Sequence, residues 1–484
     1  MALLDWLQNP RVRRTLAASA VVLATGGLVL FRAPASSGAT GILQPQASAT
    51  QATFAGPGLH GSVGLSQGVL LAGGERDVYA EVRLQADPSD RATVRAPLAL
   101  AIVLDTSGSM YGEKIEQAKQ SVLELMRDMR DDDEIAVIRY SSDVSVVQPL
   151  ARLGGVRSSL SERVRQIEAD GGTAIPLGLR SGMKALEEAG RGRVRRIVLV
   201  SDGLDSSRNE SQHLAGDSFE HGVTVSSLGI GLDFDEAYMG GVAQSGHGNF
   251  GFVKDSPALS AFLERELNET ASTTIEGAVV HLRLPHGLRF VSATGADAKL
   301  QDETSSGDDV ELRFGSLFAK DERRAVLHLV ARLDAGDTAQ IASDATWTQV
   351  QASAGAPLLP AHVDIQPLAV RGSFDSRSIE QSRDPVVLAS ATSVIASERQ
   401  LEATQAYARG DVARAQQLID QNIASLGAVA ASAPAPVATA LAKQQAAYGA
   451  TKKSFSAAPQ SVAGKVAAKH AYEVDSSNLA RAAF

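Results

Sequence analysis

Seven apolar residues in a row, Leu98 to Leu104, run without interruption into a carboxylate, Asp105. A strand with no polar side chain on either face leaves no side for water, so it must lie inside a sheet covered above and below. The segment after it, Gly112 to Arg130, places Ile115, Ala118, Val122, Leu125 and Met129 at spacings of three and four, which predicts a helix with one buried stripe. Strand patterns return at 135–140, 144–150, 194–200 and 223–228, and helical patterns fill the gaps at 158–169, 176–189 and 209–221. Alternation of this kind predicts an α/β, doubly wound, mostly parallel sheet. A last helix is expected with Ser256 as N-cap and Pro257 in its first turn, ending near Leu267, which bounds the unit at 97–272.

Doubly wound sheets bind ligands beyond the carboxyl ends of their strands. Asp105-Thr106-Ser107-Gly108-Ser109 stands at one such end, with three short oxygen-bearing side chains at alternating positions and a glycine to permit the turn. Ile197 to Ser201 leads in the same way into Asp202-Gly203, and Gly171-Gly172-Thr173 opens a third approach before the helix near Pro176. Taken singly, Ser109 could be a helix N-cap and Asp202 a turn residue. Independent turns, however, give no reason for all five oxygens to fall on one sheet edge. An EF-hand register through Asp105, Ser107, Ser109 and Glu116 fails because Met110 stands where that loop needs glycine. Asp131-Asp132-Asp133 reads as a solvated turn and His247, between two glycines, as a loop residue. No His-Glu-x-x-His, phosphate-binding loop or nucleophile elbow occurs, so an enzyme is not expected. Asn209-Glu210-Ser211 and Asn268-Glu269-Thr270 match glycosylation acceptors only formally.

On these residues the stretch 97–272 resembles a von Willebrand factor A domain, and Asp105, Ser107, Ser109, Thr173 and Asp202 resemble its metal-ion-dependent adhesion site in type and order. The resemblance implies that Ser107, Ser109 and Thr173 bind a divalent ion directly, Mg²⁺ with Mn²⁺ or Ca²⁺ as alternatives, while Asp105 and Asp202 act largely through water. It further implies a protein partner whose exposed Asp or Glu completes the ion's shell, against a rim of Ser107, Gly172, Thr173 and Gly203. Residues 310–333 are similar to the β-sandwich of bacterial exported members, some of which carry a calcium-activated chloride channel label. One candidate membrane segment cannot form a pore, so that label is not carried over.

The remaining sequence frames this unit. Arg11, Arg13 and Arg14 precede seventeen uncharged residues, Thr15 to Phe31, followed by Arg32 and a small-residue run. As a helix this stretch reaches about 26 Å against a hydrocarbon layer of about 30 Å, so residues 1–32 read either as a cleaved export signal or as a single anchor. Residues 33–57 read as a flexible linker. Strand patterns at 58–96 and 275–371 suggest one β-sandwich into which the α/β unit is inserted or which it adjoins. Residues 384–426 suggest a helical hairpin turning at Gly410-Asp411, and 427–484 an Ala- and Ser-rich tail with partial disorder. With 46 Lys+Arg against 55 Asp+Glu, nucleic acid is not an expected partner, and the absence of cysteine leaves only oxygen and imidazole for any metal. The expected role is a metal-dependent protein-binding module in the bacterial periplasm or at the cell surface. The alternative is a structural subunit of an envelope complex whose metal chiefly stabilises the fold.

Overall fold

The computed structural model describes residues 50–88, 97–190, 192–202, 206–253, 261–262, 264–266, 268–269, 272–304, 307–350 and 359–481. The candidate signal or anchor at 1–32, and the predicted helix cap at Ser256 and Pro257, lie outside them.

Four strands come first: β1 (Gln51–Gly56), β2 (Leu59–Leu65), β3 (Val69–Leu71) and β4 (Glu75–Ala86). The chain then builds the α/β unit from β5 (Leu98–Asp105), α1 (Glu113–Asp128), β6 (Glu134–Tyr140), β7 (Val144–Arg152), α2 (Leu153–Arg165) and α3 (Ile175–Glu187). It continues through β8 (Val194–Ser201), α4 (Arg208–Glu220), β9 (Val223–Ile230), α5 (Glu236–Ser245) and β10 (His247–Val253). The sheet order is β10-β9-β8-β5-β6-β7, parallel throughout except for the antiparallel edge strand β7. β5 is buried along its whole length, as its unbroken apolar run requires. Leu100, Ile102 and Leu104 pack with α1 and α2 on one face. Ala99, Ala101 and Val103 pack with α3, α4 and α5 on the other, where Gly178 and Gly182 of α3 let that helix approach Val103.

The strands after this unit are β11 (Thr273–Pro285), β12 (Leu288–Thr294), β13 (Asp297–Thr304), β14 (Gly307–Phe318), β15 (Glu322–Arg332), β16 (Thr338–Gln349) and β17 (Leu359–Ser373). They do not form a sheet of their own. β4 pairs with β15 over the full register Glu75↔Arg332 to Gln85↔Glu322, giving one sheet β1-β2-β4-β15-β12, while β3 adds in parallel to β17 at the edge of β13-β14-β11-β16-β17-β3. The two sheets share one apolar core that includes Val78, Val82, Leu282, Leu327 and Trp347. The α/β unit is therefore an insertion within a sandwich. The expected linker is too long at its C-terminal side: residues 51–56 form β1, with Ala52 and Phe54 buried in alternation.

The C-terminal region also departs from expectation. After a short α6 (Ser376–Gln381), the hairpin α7 (Pro385–Ala408) and α8 (Val412–Ala430) is joined by α9 (Ala435–Ser454) and α10 (Val462–Arg481), where a partly disordered tail was expected. A low count of large apolar residues suggested weak burial. Alanine instead lets helices approach closely, and a few large side chains, Leu441, Tyr448 and Phe455, fill the centre. A polar seam crosses this core: Ser393 Oγ donates to Gln444, Gln444 Nε2 donates to the Tyr448 hydroxyl at 2.9 Å, and that hydroxyl donates to Asp475 at 2.8 Å. α10 also fastens the bundle to the α/β unit. Tyr472 lies edge-on to Phe250 at 5.5 Å, close against Gly240, and buried Lys469 donates to Phe234 O at 3.0 Å.

Burial pushes the Asp475 carboxyl up to about 7 despite the hydrogen bond from Tyr448. A carboxyl that holds its proton more tightly when folded favours the fold at low pH. Its contribution falls as pH rises from the ordinary value near 3.8 to about 7. Asp475→Asn is expected to flatten that part of the stability profile, as measured by urea unfolding across pH 4 to 8.

Candidate metal centre

Because β5 is the central strand, its carboxyl end faces two neighbours. Asp105 pairs with Tyr140 on β6, and Ser201 at the end of β8 lies alongside it. The Asp105 side chain is wholly enclosed and points back into this polar junction: Oδ1 accepts the Ser107 backbone N–H at 2.8 Å and Oδ2 accepts the Ser201 hydroxyl at 2.6 Å. Burial pushes the Asp105 carboxyl above its ordinary range, against the pull of those hydrogen bonds, and the nearby Asp202 charge adds to the rise. The Tyr140 hydroxyl is buried beside this junction without a well-formed hydrogen bond, and burial pushes its pKa well up.

From Asp105 the chain turns out through Ser107 into a single 3₁₀ turn, Gly108–Met110. Ser107 occupies the capping position of that turn, yet its hydroxyl makes no cap bond; it lies 3.0 Å from the Ser109 hydroxyl. Ser109 Oγ donates to Asp202 Oδ1 at 2.8 Å. Asp105, Ser107, Ser109 and Asp202 thus form one continuous hydrogen-bonded chain across two strand ends. The N-cap of α1 is Gly112, so capping does not account for Ser109. Met110 is fully buried and Glu116 pairs with Lys119 at 2.7 Å on the helix, which excludes the EF-hand register.

The third loop is stitched to the first through its backbone. Asp170 N–H donates to Thr106 O at 2.7 Å and Gly108 N–H donates to Gly171 O at 2.9 Å. Gly171 has a φ of +85°, and a Cβ there would meet the Ser141 and Ser142 hydroxyls at 3.2 Å, so only glycine suits this close approach. Gly172 N–H is held by Ser142 Oγ at 2.7 Å. Thr173 follows, half-buried, just before α3. Gly203 lies outside the described residues.

Sequence reasoning missed four neighbours: Ser201, Ser142, Tyr140 and Lys114, whose ammonium donates to Asp202 Oδ2 and, at 3.2 Å, to Ser109 O. Lys114 was the legible one, a cation nine residues after Asp105 in the first turn of a helix. Asp133 and His247 differ from expectation. Asp131 and Asp132 form the solvated turn expected of them, whereas Asp133 is buried, accepting the Leu98 N–H at 3.2 Å and the Arg130 N–H at 2.8 Å. His247 opens strand β10 and stacks on Phe219 at 3.9 Å, where burial lowers its pKa to about 3.

The donors suit a hard divalent cation: hydroxyls and carboxylates only, already converging, with an ammonium seated against one of them. Among the described residues no group of three or more His, Asp or Glu side chains could hold a metal, so an ion here would depend on Ser and Thr oxygens.

Residues 99–265 match the von Willebrand factor type A domain. That stretch is a von Willebrand factor type A domain. In fold, the described chain is similar to the von Willebrand factor type A protein of Catenulispora acidiphila, at a TM-score of 0.63 and 18% identity over 90% of this chain and 99% of that one. The likeness in fold therefore extends over the sandwich and the helices as well as the inserted domain. The uncharacterised protein sll0103 of Synechocystis is 28% identical over 53% of this chain and 61% of its own length. Human inter-alpha-trypsin inhibitor heavy chain H2 is 24% identical over 39% of this chain and 21% of its own length. The chain thus spans less than two thirds of either curated relative.

An isolated charge on Asp105 costs stability wherever no cation offsets it, because the group is buried and faces Asp202. Asp105→Asn keeps the shape and removes the charge. In EDTA at pH 7 this variant is expected to melt at or above the wild-type temperature, with the difference shrinking as pH falls and the wild-type carboxyl takes up its proton. Differential scanning calorimetry measures both.

Proposed function

We propose that the von Willebrand factor type A domain binds one divalent ion, Mg²⁺ by preference, through Ser107, Ser109 and Thr173, with Asp105 and Asp202 holding it through water, and that this ion grips an acidic side chain of a partner protein. The observation that carries the reading is the unbroken chain Asp105–Ser107–Ser109–Asp202 at the carboxyl ends of β5 and β8. Neutral hydroxyls leave most of an ion's charge uncompensated, so it stays an electrophile at the sheet's edge. An Asp or Glu of the partner is the natural last ligand. The surroundings favour protein as the partner: Tyr111, directly after the site loop, is 81% exposed, and Leu177, in the first turn after Thr173, is 37% exposed. Large apolar groups left in water beside a polar centre are the usual anchors of a binding face.

We place the domain outside the cytoplasm, in a bacterial periplasm or at the cell surface. The Arg-flanked apolar stretch at 15–31 supports that placement. Among the described residues no helix is long and apolar enough to cross a membrane, and 15–31 lies outside them. Protease added to spheroplasts is expected to digest the chain while cytoplasmic markers survive; protection of both would remove this placement.

The binding mechanism is tested on the full chain by calorimetric titration with Mn²⁺ and by capture from envelope extract in Mg²⁺ or EDTA. Asp105→Ala and Asp202→Ala are expected to lose metal and partner together. Thr173→Ala is expected to weaken partner capture with little effect on the melt, since a half-buried loop hydroxyl carries little packing. Tyr111→Ser is expected to keep Mn²⁺ affinity and lose partner affinity by about tenfold or more. Undiminished capture by an Asp105→Ala chain that no longer takes up Mn²⁺ would refute the mechanism and leave the metal a structural role.

A further inference from the structure

Lys114 is an awkward residue for its position. It lies in the first turn of α1, where the helix dipole disfavours a positive charge, and its neighbours in that turn, Glu113 and Glu116, obey the rule it breaks. Its side chain turns back across the helix start instead of into solvent. The ammonium donates to Asp202 Oδ2 and to Ser109 O at 3.2 Å. The route is kept open by Gly231, whose φ is +83° and whose Cβ, if it had one, would stand 3.2 Å from Lys114 Cε. Asp202 is enclosed, with no exposed side-chain surface, while Lys114 keeps a third of its own. One Asp202 oxygen is committed to Ser109 Oγ and the other to this cation.

Charge counting gives the arrangement its meaning. In formal count the two carboxylates, Asp105 and Asp202, match the charge of a divalent ion, although acting through water they leave the ion itself an electrophile. The ammonium of Lys114 leaves one positive charge over, and a single carboxylate from outside cancels it. We propose that Lys114 is a built-in counter-charge of the metal centre, which weakens the ion's hold on the protein alone and makes tight ion binding depend on a carboxylate supplied by the partner. The inference rests on the metal reading given above and adds to it a residue and a coupling. By linkage, whatever factor the carboxylate adds to ion affinity the ion adds to carboxylate affinity, so the domain engages its ion and its acidic partner as a pair. In free solution the centre exchanges its ion readily. Couplings between sites of this kind are typically about 5- to 150-fold.

The test uses the full chain, Mn²⁺ as the ion and acetate as the minimal carboxylate. Mn²⁺ affinity is measured by electron paramagnetic resonance in sodium chloride and in sodium acetate at equal ionic strength. Wild type is expected to bind Mn²⁺ more tightly in acetate. Lys114→Met is expected to bind Mn²⁺ about tenfold or more tightly in chloride and to lose most of the acetate gain, whereas Lys114→Arg should behave as wild type. In EDTA, Lys114→Met should also melt several degrees lower, because buried Asp202 loses its partner, and Mn²⁺ should restore the melt. If Lys114→Met cannot be folded, Lys114→Gln, which keeps an N–H toward Asp202 without the charge, takes its place. Unchanged or weaker Mn²⁺ binding in the neutral variant, or an undiminished acetate gain, would overturn the role of Lys114 and leave the metal centre standing. A wild-type chain that takes up no Mn²⁺ in either salt would overturn the metal centre and this role with it.

Discussion

The burial of β5 on both faces governs the rest of the molecule. A strand with Leu98, Ala99 and their successors packed above and below can carry polar side chains only where it leaves the sheet. Asp105 stands at that exit, and its enclosed carboxylate must be hydrogen-bonded, which draws in the Ser107 N–H and the Ser201 hydroxyl. Those two bonds set the path of the loop, place the Ser107 and Ser109 hydroxyls side by side, and point the second toward Asp202. The same requirement that stabilises the core thus arranges the oxygens of the candidate centre. Of that arrangement Ser109 alone reaches the surface, with Tyr111 exposed close after it, while Asp105, Ser107 and Asp202 stay buried.

The α/β unit is held from two directions. Below, its ends join β4 and β11, strands of a sandwich whose sheets form one core. From the side, α10 presses Tyr472 and Lys469 onto α5, β10 and the loop after β9. That loop contains Gly231, which borders Lys114, and Asp233, whose carboxyl is held below its ordinary range first by Lys465 of α10 and to a lesser degree by Lys114. The helical bundle therefore reaches to within one loop of the candidate centre, and the four-helix region is part of the domain's support.

Much of this was legible in the sequence, for physical reasons that differ by region. The parallel sheet could be read because continuous apolar runs have few other fates, and the site oxygens could be read because they fall where such runs end. The insertion was readable from the switch back to alternating strand patterns after residue 275. What escaped was contact at a distance. Lys114 lies on a helix whose pattern speaks only of its buried stripe; a cation in the first turn is a local hint, but it does not say that the ammonium crosses to Asp202. α9 and α10 escaped because their stability lies in close approach of alanines and in the Gln444–Tyr448–Asp475 seam, neither of which raises hydrophobic periodicity. β1 escaped because, apart from Phe54, its residues are small or polar and uncharged, a composition shared with the stretch before it. Gly203 remains a sequence assignment alone.

The ladder between β4 and β15 has a consequence for how the chain is made. Gln85 pairs with Glu322, so β4 leaves the ribosome about 240 residues before its partner exists. At roughly 5 to 20 residues per second, one edge of β4 stays bare for on the order of ten to fifty seconds, longer than most small domains take to fold. β2 can cover the other edge at once, and the inserted domain can close on itself in the interval. The open edge of β4 is then a nascent-chain hazard of the kind that chaperones mask, and the speed at which residues 87 to 332 are translated sets how long it lasts.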